Sequence, residues 1–300
     1  MDNIRKMHDN HLPPWIANQI PDFVKSGFVE TSRGRMHFLS GGLGQKVLMV
    51  HGNPTWSFLW RKVIAHLGPE KFECFAPDLF NLGFSDSLKK QEFSMEMQSR
   101  LLLEFIDRLK LKDFILVVQD WGGPIGLYAA SQIPEKVKAL VILNTGISAP
   151  EPPYKVSKFH SFVKKKILPD LVFRWGGFPL YSLHKTQGDS RSIRKDVARA
   201  YRYPIRRKNR WDSALRFARM VPSHKNDPAL PLLRIVESYC ASFQGPVRVV
   251  WGLKDPILGR SLKHVRRIFS EAQVRETQSG HFLQEECPDI IADAISQVTH

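Results

Sequence analysis

Short apolar runs recur along the chain, separated by segments with helical spacing. KVLMVHG (46–52), FECFAPD (72–78), FILVVQD (114–120), VKALVILN (137–144) and VRVVWG (247–252) are continuously apolar rather than alternating. A strand covered on one face alternates and a strand covered on both does not. These runs therefore predict parallel strands sandwiched between helices. In SMEMQSRLLLEFIDRLK (94–110), Met97, Leu101, Phe105 and Leu109 recur four apart and mark one helical face, with Ser94 as N-cap. Near the C-terminus, Pro288 opens a helix that turns Ile291, Ile295 and Val298 inward. Such alternation of strand and helix predicts an α/β fold with a doubly wound, mostly parallel sheet.

The pattern breaks at about residues 147–230, where the chain turns basic, aromatic and helix-prone. EPPY (151–154) marks the entry and NDPALPLL (226–233) the exit. The expected organisation is a core in two parts, 1–146 and 231–300, with a helical cap, 147–230, inserted over the sheet. No internal repeat or low-complexity tract interrupts this.

Composition narrows the class. Apolar residues make up 43% and charged residues 24%, ordinary values for a globular chain. No apolar run approaches the roughly 18 residues of a membrane span. The N-terminal MDNIRKMHDNHLPPW lacks the apolar stretch of a signal peptide. Three scattered cysteines, Cys74, Cys240 and Cys287, fit reduced thiols, so a cytoplasmic protein is expected. The net charge of +15 is uneven: residues 151–225 hold 19 Lys/Arg against 5 Asp/Glu, which is +14. The basic residues lack the regular aromatic interleaving of a single-strand binder. A solvated helical surface is expected, and no nucleic-acid partner.

VVQDWGGPIG (117–126) raises the chemical question, because it sets an aspartate on the corner between a buried strand and a helix. In open parallel sheets ligands lie beyond the carboxyl ends of the strands. A strand–nucleophile–helix elbow belongs there, with glycines for the sharp turn and a strained residue at the tip. Asp tolerates left-handed backbone better than bulky residues do. The following helix N-terminus favours an ionised carboxylate, the nucleophilic form. Asp120 is thus a candidate nucleophile, although capping the helix is the plainer role.

Partners follow in a telling order. Asn53, in HGNPTWSFLWR (51–61), and Trp121 each lie just beyond a strand end, where their backbone N–H groups can form an oxyanion hole. Asp255 follows a late strand in VVWGLKDPIL, and His281 lies in QSGHFLQEECP before the last helix. Nucleophile, acid, histidine is the hydrolase chain order. No HExxH points to a metal.

With these motifs in place the sequence resembles the haloalkane dehalogenases of the α/β-hydrolase superfamily, from about residue 25 to residue 298. HGNPTWSFLWR and VVQDWGGPIG together carry the resemblance; HG-x-P or DWGG alone would fit epoxide hydrolases too. It implies an α/β-hydrolase fold with an Asp120–His281–Asp255 triad. One subfamily carries its acid where Asn144 stands, and Asn144 cannot ionise; the other place is Asp255. The resemblance also implies halide binding by Asn53 and Trp121, with the cap residue Trp175 as the rival to Asn53. An Asn–Trp pair with a late acid looks most like the third subfamily, whose members self-associate, so a homo-oligomer is expected. In APDLFNLGFSD (76–86), Asn81 stands where the family usually has glycine, which puts the shape of that loop in question.

The chemistry is coherent on these residues. Asp120 displaces halide from an sp³ carbon and forms an alkyl ester. Indole and amide N–H groups assist the departing halide without competing for a proton. His281 then activates water, with Asp255 holding its tautomer. Small apolar halogenated substrates, water and halide are the expected partners, and no cofactor or metal is required. Phe80, Phe84, Phe173, Trp175, Phe178, Leu180, Phe217 and Phe282 are candidate pocket walls, although core packing explains each one singly. An epoxide hydrolase is the alternative. It would need two cap tyrosines to protonate the epoxide oxygen, from among Tyr154, Tyr181, Tyr201, Tyr203 and Tyr239. A fluoroacetate dehalogenase would want arginines where Pro124 and Ile125 stand, and coelenterazine-type luciferases carry a glutamate where Asn144 stands. A binding protein with a dead site is disfavoured by the complete triad.

Overall fold

Eight strands form one sheet in the computed structural model, which describes residues 11–153, 158–208 and 210–299, without the side chains of Lys158 and Trp175. They are β1 (Val24–Thr31), β2 (Gly34–Gly41), β3 (Gln45–Val50), β4 (Phe72–Pro77), β5 (Phe114–Val118), β6 (Val137–Ile142), β7 (Val247–Gly252) and β8 (Gln273–Thr277). Their order is β1-β2-β4-β3-β5-β6-β7-β8. Strands β3 to β8 pair in parallel, and β2 runs against both its neighbours. All five residues of β5 are buried, and so are the last four of β3 and of β6. Successive side chains of a strand face opposite ways, so helices must cover both faces there. The edge strand β8 carries exposed Arg275 and Glu276, charges that discourage further strand addition.

The helices are α1 (Pro14–Ala17), α2 (Arg61–Leu67), α3 (Met95–Arg108), α4 (Gly122–Ser131), α5 (Lys158–Val163), α6 (Leu168–Gly176), α7 (Lys195–Arg207), α8 (Ser213–Arg219), α9 (Ala229–Ser242), α10 (Leu262–Ile268), α11 (Leu283–Glu286) and α12 (Pro288–Gln297). Helix α3 packs on α4, α4 on α9, and α2 on α12. Ser94 caps α3 as expected, its Oγ accepting the Met97 N–H at 3.1 Å. The buried stripe of α3 is wider than the four-residue row suggests. Leu102 and Ile106 join Leu101 and Phe105, and Met97 is only half-buried. Ile291, Ile295 and Val298 are buried on or just beyond α12. No helix among the described residues is long and apolar enough to cross a membrane.

The β1–β2 hairpin went unread in the sequence. It turns through Ser32 and Arg33, with Gly34 at φ +119°. Its signal was there in SRG set between apolar segments, but the long apolar runs elsewhere dominate the pattern. Asn81 keeps the conformation that a glycine would take, with φ +71°. Asn is among the few other residues that enter this region readily, and its Oδ1 accepts the Leu88 N–H at 3.0 Å.

Helices α5 to α8 lie between β6 and β7 in the chain and have a small apolar cluster of their own, Val163, Phe173, Ala214, Leu215 and Ala218. Polar contacts fasten them to the sheet layer. On α7, Tyr201 donates to Glu285 Oε1 at 2.6 Å, the oxygen that also receives Arg61 at 2.6 Å. Burial raises the Glu285 carboxyl, but the Arg61 charge and hydrogen bonds outweigh it and hold the carboxyl below its usual range. Trp56 Nε1 donates to Ala200 O at 3.2 Å, and Lys208 Nζ to Phe84 O at 2.5 Å.

Candidate active site

Strand β5 ends at Val118 and α4 begins at Gly122, so the chain reverses direction within three residues. Asp120 makes the corner at φ +50°. Its N–H donates to Asn144 O at 2.9 Å, and its C=O accepts the Thr145 hydroxyl at 2.6 Å. Both bonds clamp a backbone that a non-glycine residue adopts at a cost. The glycines beside it leave room. A Cβ on Gly52 would sit 2.3 Å from Asp120 Oδ1, and one on Gly122 would sit 2.1 Å from Val50 O.

The Asn53 N–H donates to Asp120 Oδ1 at 2.7 Å, and the Trp121 N–H also hydrogen-bonds the carboxylate. Oδ2 lies 3.6 Å from His281 Nε2. On the far side of the ring, Nδ1 lies 2.9 Å from Asp255 Oδ2. The second Asp255 oxygen accepts the N–H groups of Ile257 at 2.7 Å and Leu258 at 3.1 Å. The structure thus brings Asp120, Trp121, His281, Asp255 and Asn53 together from four separate stretches of chain. The side chain of Asp120 is 13% exposed, that of His281 1% and that of Asp255 0%, so the first is the one open to a reactant.

Electrostatics follow from burial and partners. Burial pushes the Asp120 carboxyl up, against the pull of His281 and of the two backbone N–H groups. At Asp255 burial acts upward too, but the His281 charge, its hydrogen bond, Asn144 and the Ile257 N–H together carry the carboxyl below its ordinary value. Burial opposes protonation of His281, yet the carboxylates of Asp255 and Asp120 overcome it and raise the imidazole above 6.5.

Two residues that sequence reasoning passed over brace Asp255 and His281. Asn144, noted only as non-ionisable, donates Nδ2 to Asp255 Oδ2 at 2.8 Å and accepts the Gly252 N–H at 2.7 Å. Gln119 donates Nε2 to His281 O at 3.1 Å. Its place just before Asp120 was the available signal for Gln119. Nothing in the sequence pairs Asn144 with Asp255.

The remaining candidates are unequal. No acceptor among the described residues takes the indole N–H of Trp121. Asn53 spends one N–H of its Nδ2 on Ala214 O of α8, at 3.1 Å. The Phe217 ring lies 6.4 Å from that of Trp121, and the Phe282 ring 4.7 Å from that of His281. Phe173 packs into the cluster of the α5–α8 segment, against Phe178 at 5.2 Å. Phe80 and Leu180 are buried in the main core, and Phe84 packs there against Trp56. The side chain of Trp175 lies outside the described residues, as does Tyr154.

The other tyrosines differ in their surroundings, and the Tyr239 hydroxyl is buried without a hydrogen-bond partner among the described residues. The Tyr201 hydroxyl is bound to Glu285, and that of Tyr203 accepts Arg207 at 3.5 Å. Tyr181 is 56% exposed, and Tyr239 belongs to α9 rather than to the α5–α8 segment. Two surface hollows, of about 610 and 770 Å³, the first lined in part by Tyr239 and the second by Glu285, include none of Asp120, Asp255 and His281. Among the described residues no group of three His, Cys, Asp or Glu is placed to hold a metal ion.

Comparison with known proteins converges on one fold. Residues 46–288 match the family model described as the alpha/beta hydrolase fold. The chain is 31% identical over 286 residues to a cis-3-alkyl-4-alkyloxetan-2-one decarboxylase of Shewanella oneidensis, covering 92% of this chain and 87% of that protein. It is 29% identical over 274 residues to a haloalkane dehalogenase of Mycolicibacterium paratuberculosis, covering 87% and 86%. The tetrameric haloalkane dehalogenase of Paraglaciecola agarilytica superposes with a TM-score of 0.81 at 26% identity, covering 96% of this chain and 97% of that one.

Proposed function

The chain belongs to the α/β-hydrolase fold family, and within it we propose that this protein hydrolyses haloalkanes to alcohol and halide through an alkyl ester on Asp120. The observation that carries the reading is the placement of His281, with Nδ1 on Asp255 at 2.9 Å and Nε2 at 3.6 Å from Asp120, beside an indole N–H that no described acceptor takes. The similarity to the mycobacterial and Paraglaciecola dehalogenases points the same way.

Asp120 is held by two backbone N–H groups, so one carboxylate oxygen is aimed and little reorientation is needed at reaction. It forms a bond to the substrate carbon as the carbon–halogen bond breaks, and the halide leaves with the bonding pair. The Trp121 indole and the remaining Asn53 N–H meet the developing charge. Water then attacks the ester's carbonyl carbon, on Asp120, and gives a proton to His281 Nε2. The oxyanion forming on Asp120 falls to the N–H groups of Asn53 and Trp121. Collapse expels the alkoxide, which takes the proton back from His281, and the second water proton leaves the Asp120 carboxyl for solvent, which restores the carboxylate. Asp255 stabilises the imidazolium throughout. Self-association belongs to the same reading, since the Paraglaciecola dehalogenase is tetrameric.

A second reading rests on the Shewanella relative. The same carboxylate would open a four-membered lactone, with carbon dioxide as a product and no halide. Epoxide hydrolysis has less support, because the Tyr201 hydroxyl proton is already given to Glu285. The test incubates the protein, without added cofactor and in EDTA, with a terminal bromoalkane, styrene oxide and a cis-3,4-dialkyloxetan-2-one. Bromide release with little diol is the expected result. Carbon dioxide from the lactone without bromide would transfer the assignment to the decarboxylase, and diol without bromide to an epoxide hydrolase.

A further inference from the structure

Three large aliphatic side chains stand in solvent within five residues of one another at the start of α6. Between α5 and α6, Ile167 is 74% exposed, and on α6 Leu168 is 54% and Leu171 48% exposed. Leu168 and Leu171 are three apart on α6 and share a face. Val172 and Phe173 turn the other way, into the cluster with Val163 and Leu215. Ile167 joins the two helices at φ +63°. For a β-branched residue that conformation is costly. The fold therefore holds an isoleucine largely out in water, on a strained backbone.

Charge says what would cover it. Residues 158–177 hold five cations, Lys158, Lys164, Lys165, Lys166 and Arg174, against the single acid Asp170, which is +4. Asp170 is already paired with Arg219 at 2.7 Å. Lys164 turns inward, to Arg219 O at 2.7 Å and toward Asp227 at 3.8 Å. Lys165, Lys166 and Arg174 are exposed, and no acidic side chain among the described residues pairs with them. Three apolar side chains thus sit beside three unpaired cations.

We propose that this corner, Ile167, Leu168 and Leu171 flanked by Lys165, Lys166 and Arg174, is a docking surface for an anionic lipid bilayer. The apolar side chains enter the boundary between headgroups and acyl chains while the cations meet lipid phosphates. A second copy of the chain fits less well, because a two-fold contact brings the same cations face to face. A nucleic acid would engage the cations and leave the aliphatic side chains in water. The surface lies outside the triad, so the proposal holds whatever the site's substrate.

The test is sedimentation of the full chain with vesicles of phosphatidylglycerol and phosphatidylcholine, and with phosphatidylcholine alone. The wild type should pellet with the first, less so as salt rises, and hardly with the second. Lys165→Glu/Lys166→Glu and Ile167→Asn/Leu171→Asn should each weaken vesicle binding about tenfold or more. Their melting temperatures should stay near wild type, since every altered side chain is exposed. The proposal is overturned if the wild type stays in solution, or if it pellets equally with uncharged vesicles. It also fails if both variants bind as the wild type does. Loss of an oligomer in gel filtration by the apolar variant, with vesicle binding unchanged, would assign the face to a second copy instead. RNA binding lost in the lysine variant, with no vesicle binding by the wild type, would assign it to nucleic acid.

Discussion

Asn144 Nδ2 lies 2.8 Å from Asp255 Oδ2, the same oxygen that faces His281 Nδ1 at 2.9 Å. Asn144 also bonds both the N–H and the C=O of Gly252, so it ties β6 to the loop that carries Asp255. A neutral amide thus stands where it orients and stabilises a charged acid.

Asp255→Asn should lower steady-state hydrolysis by several orders of magnitude, since loss of the corresponding acid in a serine-protease triad costs about 10⁴. Asn144→Ala removes one hydrogen bond to a charged group, so it should cost about tenfold to a hundredfold. Asn144→Asp should be worse than Asn144→Ala, because a second carboxylate there repels Asp255. The check is kcat on a bromoalkane for the three variants; Asn144→Ala proving worse than Asp255→Asn would mean that the acid has been misassigned.

With His281→Phe, Asp120 should still be alkylated while hydrolysis stalls. Intact-mass spectrometry after incubation with a bromoalkane should show one stable alkyl adduct, and peptide mapping should place it on Asp120. An adduct on Cys74, Cys240 or Cys287 instead would sink the nucleophile assignment.

Trp121→Phe removes an N–H donor and keeps an aromatic wall. The loss should be roughly 3 kcal/mol of transition-state stabilisation, about a hundredfold in rate. Bromide should bind more weakly to Trp121→Phe and to Asn53→Ala. In Asn53→Ala the bond to Ala214 O is lost as well, so the α5–α8 segment should become more susceptible to proteolysis. Unchanged bromide affinity in Asn53→Ala together with a loss in Trp175→Phe would move the second donor to Trp175.

The His281 imidazole should titrate above the ordinary 6.5, because the carboxylates of Asp255 and Asp120 overcome its burial. A raised folded-state value means that the native protein binds the proton more tightly than the unfolded chain does. The stability from this is full below 6.5 and is lost as pH climbs through the folded value. Hydrolysis needs the neutral ring, so kcat should fall on the acid side as His281 takes up its proton. Proton NMR should show the His281 resonance titrating at lower pH in Asp120→Asn; an unshifted titration would mean that the two groups do not interact.

Much of this protein is determined by local pattern. Runs such as FILVVQD lose alternation because both strand faces are covered, and that survives in a bare sequence. Asp120 was legible because a tight elbow demands glycines in fixed places beside a residue that tolerates positive φ, and the structure shows +50° there. His281 and Asp255 were legible from chain order and their places after strands. The partnerships were not. That Asn144 braces Asp255 across 111 positions, that Asn53 reaches Ala214 and that Tyr201 shares Glu285 with Arg61 depend on how layers stack, and no periodicity encodes a contact between distant segments. The same limit separates the candidate pocket walls. Phe173 and Phe217 look alike as aromatics in a helical stretch, yet one packs into the cluster of the α5–α8 segment and the other lies beside Trp121. The sequence by itself determined which residue types stand at the strand ends; the tertiary structure decided which of them meet, because hydrogen bonds and burial act over a few ångströms of space, however far apart the partners lie in the chain.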